Sequence, residues 1–411
     1  MKPIEIIMIG AGQRGNAYSE HALTHPDELK IVGVAEPVQV RRETYRDKYG
    51  IAEENCLYTW EDVFKREKWA DAVMICTLDD MHYGPAMEAI KQGYDILLEK
   101  PISPSEEECL EIARAAEEAG VKIVVCHVLR YTPFFSLLKR IIDSGEIGDI
   151  VTFVHNENVG NIHHSHSFTR GNWGNTERSS PMILQKSCHD MDIMQWLIGK
   201  KCLSLSSFGS LKYFCKDYCP PEAPPRCTDG CTVSDCVYDA RKLYLESKSD
   251  WFRSVATGRV NSSDEEVEAA LKNGPYGRCV YQCDNDVVDH QVVNMEFEDG
   301  ITAMFSMSSL TPDTSRSLKI MGTKGQIKAH TKSDIVLVTD FITRTDREVS
   351  VEKAKGGHGG GDSGVMSAFC RYLRGEIGSA DVSEASISAQ NHRLCFKAEE
   401  SRHNGGKVIK L

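Results

Sequence analysis

Short apolar runs rich in Ile and Val punctuate the first third of the chain: Ile4 to Ile9, Ile31 to Val34, Ala72 to Cys76, Ile96 to Leu98 and Ile123 to Val125. Amphipathic stretches of about three to four helical turns separate them. Runs this short, alternating with helical pattern, predict parallel strands covered on both faces by crossover helices. One helix start is explicit. Ser105 stands three residues before Glu108, just after Pro104, which predicts a capping box ahead of Cys109 to Ala119, and Gly120 supplies the stop.

Beyond about residue 130 the alternation ceases. A helix from Pro133 to Asp143 precedes a strand from Ile150 to Val154, a polar loop from His155 to Asn175 and a long helix from Pro181 to Ile198. From Val287 onward the pattern is one of hairpins: Val292 to Phe297, Asp299-Gly300, Ile301 to Met307, Leu318 to Met321 and Gln326 to Ala329. A Gly-rich loop at Gly356 to Gly364 leads into two helices, Val365 to Arg374 and Ser383 to Arg402. The predicted class is α/β for residues 1–128. An α+β domain with a largely antiparallel mixed sheet follows over 129–411, with a Cys-rich insertion at about 212–250.

The 411 residues suffice for two or three cores, and a net charge of -12 with scattered basic residues argues against nucleic acid as a partner. No apolar run reaches the roughly 18 residues that cross a bilayer. The start MKPIEIIMIGAG enters a strand without a small-residue cleavage site, so a cytoplasmic protein is expected. Most of the 15 cysteines stand singly in apolar contexts, as Cys76, Cys126, Cys370 and Cys395 do, in keeping with reduced thiols.

Gly10-Ala-Gly12-Gln13-Arg14-Gly15 follows the first strand and opens a helix, and Glu36 ends the second strand 21 residues after Gly15. Gly10 permits the tight turn, Gly12 lets backbone approach a pyrophosphate, and Gly15 lets helix pack on strand. The helix N–H groups are then free for phosphate oxygens. Glu36 can accept both ribose hydroxyls of NAD and would repel the 2'-phosphate of NADP, although Arg41 and Arg42 nearby keep NADP open.

Cys76-Thr77-Leu-Asp-Asp-Met-His82 at the end of one strand, Glu99-Lys100-Pro101 at the end of the next, and a later helix carrying His189-x-x-Asp192 complete a set. With the glycine motif, this set resembles the glucose-fructose oxidoreductase, inositol dehydrogenase and MocA (Gfo/Idh/MocA) family over nearly the whole chain. The resemblance implies a Rossmann domain, a mixed-sheet second domain, NAD(P)-linked oxidation or reduction of a sugar-like alcohol, and a homodimer or homotetramer. It also implies that Lys100 touches substrate and nicotinamide ribose, with Thr77, His82 and Glu99 around the cofactor. Many relatives carry Asp four residues before the His; here Gln185 stands there beside Lys186, so no proton relay through that position is expected.

Gln185, His189, Asp192 and Trp196 fall on one stripe of the predicted helix. Oxidising a secondary alcohol requires its proton to leave as hydride departs, and His189 is the candidate base. Lys100 would polarise the oxygen, and Asp192 would either orient the imidazole or serve structure. Substrate contacts are expected from His163, His166, Arg170 and Trp173 in the polar loop, from Gln185 and Lys186, and from His358 in the segment that starts at Lys355. His127 and Arg130-Tyr131 are expected near the nicotinamide side.

Cys215, Cys219, Cys227, Cys231 and Cys236 crowd a segment with little apolar periodicity, which needs a staple. Structural zinc on Cys227, Cys231 and Cys236, with Cys279 or Cys219 as fourth ligand, is the leading expectation. Disulfides and unligated thiols are the rivals, and an iron–sulfur cluster ranks lower because the other motifs need no electron relay. The functional expectation is an NAD-dependent oxidoreductase acting on a ring hydroxyl of a sugar, polyol or glycoside. The alternatives are a redox-neutral glycosidase that oxidises, eliminates, hydrates and reduces, and a non-catalytic NAD-binding sensor.

Overall fold

The computed structural model describes residues 2–353 and 356–411; Lys355, at the head of the predicted Gly-rich segment, lies outside them. Six strands, β1 (Ile4–Ile9), β2 (Leu29–Ala35), β3 (Cys56–Leu57), β4 (Ala72–Ile75), β5 (Asp95–Leu98) and β6 (Ile123–Val125), form a parallel sheet in the order β3-β2-β1-β4-β5-β6. Ile4, Ile6 and Met8 face one buried layer and Ile7 and Ile9 the other, which is why the strands read as continuous apolar runs. The order reverses between β1 and β4, and ligands of open α/β sheets sit at that switch point.

The second sheet has nine strands: β7 (Ile150–Asn158), β8 (Cys202–Ser210), β9 (His290–Phe297), β10 (Thr302–Ser308), β11 (Ser315–Gly322), β12 (Gly325–His330), β13 (Ile335–Asp340), β14 (Asp346–Ser350) and β15 (Ile409–Lys410). Its order is β14-β13-β12-β11-β7-β10-β9-β8-β15, and every pairing is antiparallel except β7 with β10. Asp299 and Gly300 take positive φ in the turn that joins β9 to β10, as a tight hairpin requires. One face of the sheet packs against helices Pro133–Asp143, Cys188–Ile198 and Ala385–His403.

Several expectations are corrected. The long helix from Pro181 to Ile198 is two pieces, Met182–Gln185 and Cys188–Ile198; at the break Ser187 N–H reaches back five residues to the Met182 carbonyl (3.3 Å), and its hydroxyl donates to Glu157 on β7 at 2.7 Å. Ser105 caps helix Glu106–Ala119 as predicted. The reciprocal half of the box is absent, since the Glu108 carboxylate accepts from Ser103 instead. The insertion runs past residue 250 to the start of β9. It has small cores of its own, one around Phe214, Tyr238 and Tyr281 and one around Tyr244, Val267 and Leu271. The first sheet is not closed by residues 1–128 alone. Helix Gly361–Leu373 supplies Val365, Met366, Phe369 and Cys370 to its core, and Val125 N–H donates to the Ser383 carbonyl at 2.8 Å.

Candidate functional site

The turn after β1 is built for glycine. Gly10 has φ +90°, and a Cβ there would lie 2.7 Å from the Cys76 carbonyl; one on Gly15 would lie 2.5 Å from the Gly10 carbonyl. A Cβ on Gly12 would meet nothing within 4 Å, so the space above it is open. Helix Gln13–Thr24 starts at Gly12 without a side-chain cap, leaving its first N–H groups for an anion, and Gln13 is exposed on that turn. Glu36, buried at the end of β2, accepts from Ala11 N–H and Val38 N–H, both at 2.9 Å. Each of its oxygens keeps a second lone pair. An open cradle, free helix donors and a buried acid beside them fit a dinucleotide. Arg42 donates to the Glu36 carbonyl and lies over Tyr58, outside the cradle.

At the neighbouring strand ends, His82 binds the Pro101 carbonyl through Nδ1 (2.8 Å) and the Thr77 carbonyl through Nε2 (3.3 Å), tying the two loops together. His392, on the last long helix, accepts from Ile102 N–H at 3.1 Å and fixes the same loop from the other side. Lys100 Nζ, held by this loop, donates to the Gln185 carbonyl at 2.7 Å, at the helix break one residue before Lys186. His189 lies in the first turn of the following helix. Burial, then the charges of Lys100, His127 and Lys186, push its pKa well below the ordinary imidazole value. The amine at 100 and the imidazole at 189, far apart in sequence, therefore share one neighbourhood. His189 Nδ1, both ring nitrogens of His127 and Gln185 Oε1 are buried without partners, and the His127 and His189 rings are 5.8 Å apart. Each of these polar atoms needs a partner that the surrounding side chains do not supply.

Comparison with known proteins identifies the family. Residues 4–127 match "Oxidoreductase family, NAD-binding Rossmann fold", and residues 139–408 match "Oxidoreductase family, C-terminal alpha/beta domain". The chain belongs to the Gfo/Idh/MocA oxidoreductase family. YteT of Bacillus subtilis is 25% identical over 321 residues, 73% of this chain and 72% of its own length. The scyllo-inositol 2-dehydrogenase (NAD(+)) of the same organism is 27% identical over 215 residues, 51% of this chain and 58% of its own. The 2,7-anhydro-N-acetylneuraminate hydratase of Escherichia coli is 27% identical over 139 residues, 34% and 36% of the two chains. The match thus spans little more than half of that dehydrogenase and about a third of that hydratase. An inositol dehydrogenase homolog from Azotobacter vinelandii, solved with NAD+, superposes with TM-score 0.71 at 13% identity, covering 100% of this chain and 98% of its own; this likeness shows the fold. Among the described residues no helix is long and apolar enough to cross a membrane.

Within this Gfo/Idh/MocA member the expected site residues divide. Lys186 stays in the neighbourhood of Lys100 and His189: its Nζ is 3.6 Å from Glu157, and burial lowers its pKa against the pull of that carboxylate. Arg316, paired with Glu157 (2.9 Å) and Asp190 (2.6 Å), and His155, bonded to Asp190 (2.6 Å), complete a buried network under the helix break. The His163 ring lies tilted to Phe168 and edge-on to Trp251, each 5.5 Å away. Burial and then the Lys186 charge bring its pKa down to about 2, so it too borders the site. Gln185 donates through Nε2 to the Trp173 carbonyl at 2.7 Å, and Trp173 is 38% exposed.

His166 and Arg170 go elsewhere. The predicted loop becomes a buried helical turn, Asn161–His164 running on into Ser165–Arg170. His166 bonds Tyr244 OH at 2.6 Å inside the insertion's aromatic core, and Arg170 donates to the Arg278 and Tyr238 carbonyls. Asp192 does not orient His189. It takes Arg130 Nε at 2.7 Å and the Asn391 amide, so Asp192 and Arg130 form a structural pair. Glu99 and Arg14 join a second cluster: Tyr18 OH donates to Glu99 at 2.7 Å, and Arg14 Nη2 reaches Asp362 at 2.7 Å, with His358 Nδ1 3.0 Å from the same carboxylate. His358 thus sits on the glycine-loop side. The zinc expectation finds no support in the geometry. Among the described residues no three of Cys227, Cys231, Cys236 and Cys279 bring their sulfurs within 4.8 Å of one another, as a single tetrahedral ion needs.

Sequence reasoning passed over Tyr18, Glu157, Asp190, Arg316, Asp362 and His392. The available signal for the buried network was the alternation on β7, where His155 and Glu157 occupy core-facing positions. The register that sets Arg316 opposite Glu157 is not written in any local pattern.

Proposed function

We propose that this oxidoreductase removes hydride from a ring hydroxyl of a sugar, polyol or glycoside, with His189 and Lys100 handling the hydroxyl proton. The observation that carries the reading is the meeting of the Lys100 ammonium with the helix break that presents His189. Gly10, Gly12, Gly15, the free N–H groups of helix Gln13–Thr24 and Glu36 would hold NAD, which when bound supplies the hydride acceptor. Burial, and then the cations around it, favour the neutral His189 ring, so it is ready to accept a proton as negative charge grows on the substrate oxygen. Lys100 steadies that charge from a fixed position. Thr77 and Glu99 stand at the strand ends behind it. Lys186, His163 and Trp173 border the space a ring substrate would fill, their N–H donors and aromatic face suited to hydroxyls.

A second reading is favoured by the hydratase relatives from two organisms. Transient oxidation acidifies the neighbouring C–H, a substituent is eliminated, water adds and the hydride returns. Both readings share their first step. Incubation with inositols, free sugars and aryl glycosides plus NAD, following NADH and released aglycone separately, discriminates them. NADH accumulation supports the dehydrogenase, and aglycone without net NADH supports the redox-neutral enzyme. Neither signal across the panel would overturn catalysis and leave an NAD-binding sensor.

A further inference from the structure

Four arginines, Arg170, Arg178, Arg226 and Arg278, line one open cleft of about 460 Å³ at the seam between the insertion and the Ser165–Arg170 turn, with Asn172 and Tyr276 beside them. The chain as a whole has a net charge of -12, so this basic spot stands against the general balance. Main-chain contacts fix it. Arg226 and Arg278 lie opposite each other in an antiparallel bridge, Arg170 Nε donates to the Arg278 carbonyl at 2.7 Å, and Arg278 Nη2 returns to the Arg170 carbonyl at 3.3 Å. Among the described residues Asp284 is the one carboxylate that pairs with any of the four, and Arg178 and Arg278 share it. Four guanidiniums against one carboxylate leave three positive charges. Arg170 is 1% exposed and keeps Nη1 buried without a hydrogen bond. Arg226, held by the Leu271 and Gly274 carbonyls at the end of helix Asp264–Asn273, keeps Nε buried in the same way. Like charges locked side by side with unfilled N–H donors are costly unless an anion joins them.

We propose that this cleft binds the phosphate or diphosphate group of a phosphorylated ligand. Guanidinium forks match phosphate oxygens two at a time, and a diphosphate brings enough charge to answer three arginines, which a single carboxylate does not. Asn172 lines the cleft, and the next residue, Trp173, accepts through its carbonyl from Gln185, whose own carbonyl takes Lys100. One short segment therefore borders both the basic cleft and the Lys100 side. The phosphate belongs either to the substrate, as a tail lying away from the reacting ring, or to a free phosphorylated effector; the first source rests on the hydride-transfer reading and the second does not.

Titration calorimetry of the full chain with pyrophosphate in magnesium-free buffer reads the cleft without turnover, so it succeeds or fails independently of hydride transfer. The wild type should bind pyrophosphate, and R178E, a reversal at an exposed position, should weaken that binding by on the order of tenfold or more. R226Q should weaken it as well, whereas R347A, whose arginine pairs with Glu146 outside the cleft, should not. NAD binding to R178E reports separately that the chain is folded. Hexose phosphates and nucleoside diphosphate sugars, titrated beside pyrophosphate, separate the two sources: a gain in affinity from the sugar that K100M removes marks the phosphate as part of the substrate, and no gain marks a free effector. Absence of pyrophosphate binding to the wild type, or binding that R178E leaves unchanged, would overturn the proposal.

Discussion

Replacing Asp362 with Asn tests the clasp between the glycine loop and the helix that returns to it from the C-terminal end. In the wild type this carboxylate takes Arg14 Nη2 at 2.7 Å and His358 Nδ1 at 3.0 Å. Burial raises its pKa, but His358 and Arg14 outweigh burial and bring it from 3.8 to about 2. At about 1.4 kcal/mol per pH unit, that drop corresponds to about 2.5 kcal/mol of folding stability. The folded-state pKa is depressed, so the contribution is complete above 3.8 and disappears as pH falls through about 2. Urea denaturation followed by far-ultraviolet circular dichroism should show D362N less stable by about 2 kcal/mol. The gap should persist from about pH 8 to pH 5 and close only in more acid solution. A gap below about 0.5 kcal/mol at pH 7, or one that closes between pH 8 and pH 5, would show that the pair does not hold the loop.

Three further outcomes follow from the site. K100M should lower kcat by on the order of 10²-fold or more while NAD affinity measured by fluorescence stays within a few-fold; an equal loss in both would make Lys100 a cofactor-binding residue alone. Because rate needs the neutral form of His189 and its pKa is depressed, the acid limb of kcat/KM should fall below the ordinary histidine value of about 6.5. H189N should abolish that limb, and a wild-type limb at or above neutrality would contradict the electrostatics. K186M removes one of the cations that depress His189, so the limb should move to higher pH by on the order of one unit, with the opposite shift or none counting against the shared neighbourhood.

The parallel sheet was legible because burial on both faces writes Ile and Val runs that no helix or surface strand shares, and the glycine motif was legible because each glycine answers a local steric demand. Lys100 and His189 are picked out by the resemblance of the whole motif set to the family; a strand end and a helix start alone do not separate a catalytic group from a structural one. What escaped were relations between distant segments. The predicted stripe through Gln185 and His189 assumed an unbroken helix, yet the spiral is interrupted at Lys186-Ser187, beside Glu157 of β7. His166 and Arg170 looked like carbohydrate ligands because a segment that is both polar and aromatic offers hydrogen-bond groups and a ring face for a sugar. The insertion that covers them follows β8 and announces no partner in sequence. Asp192 shows the same limit: its spacing from His189 was right for a catalytic pair, but Arg130 is the neighbour that the fold provides.

The return of helix Gly361–Leu373 to the first sheet, together with His392 reaching the Lys100 loop, bears on how such a protein can be inherited or re-engineered. The cofactor half and the substrate half are interlaced rather than arranged as beads on a string. A chimera that exchanged the first 128 residues with a relative's would have to bring along the matching C-terminal segment, or leave the apolar flank of its nucleotide fold bare to water.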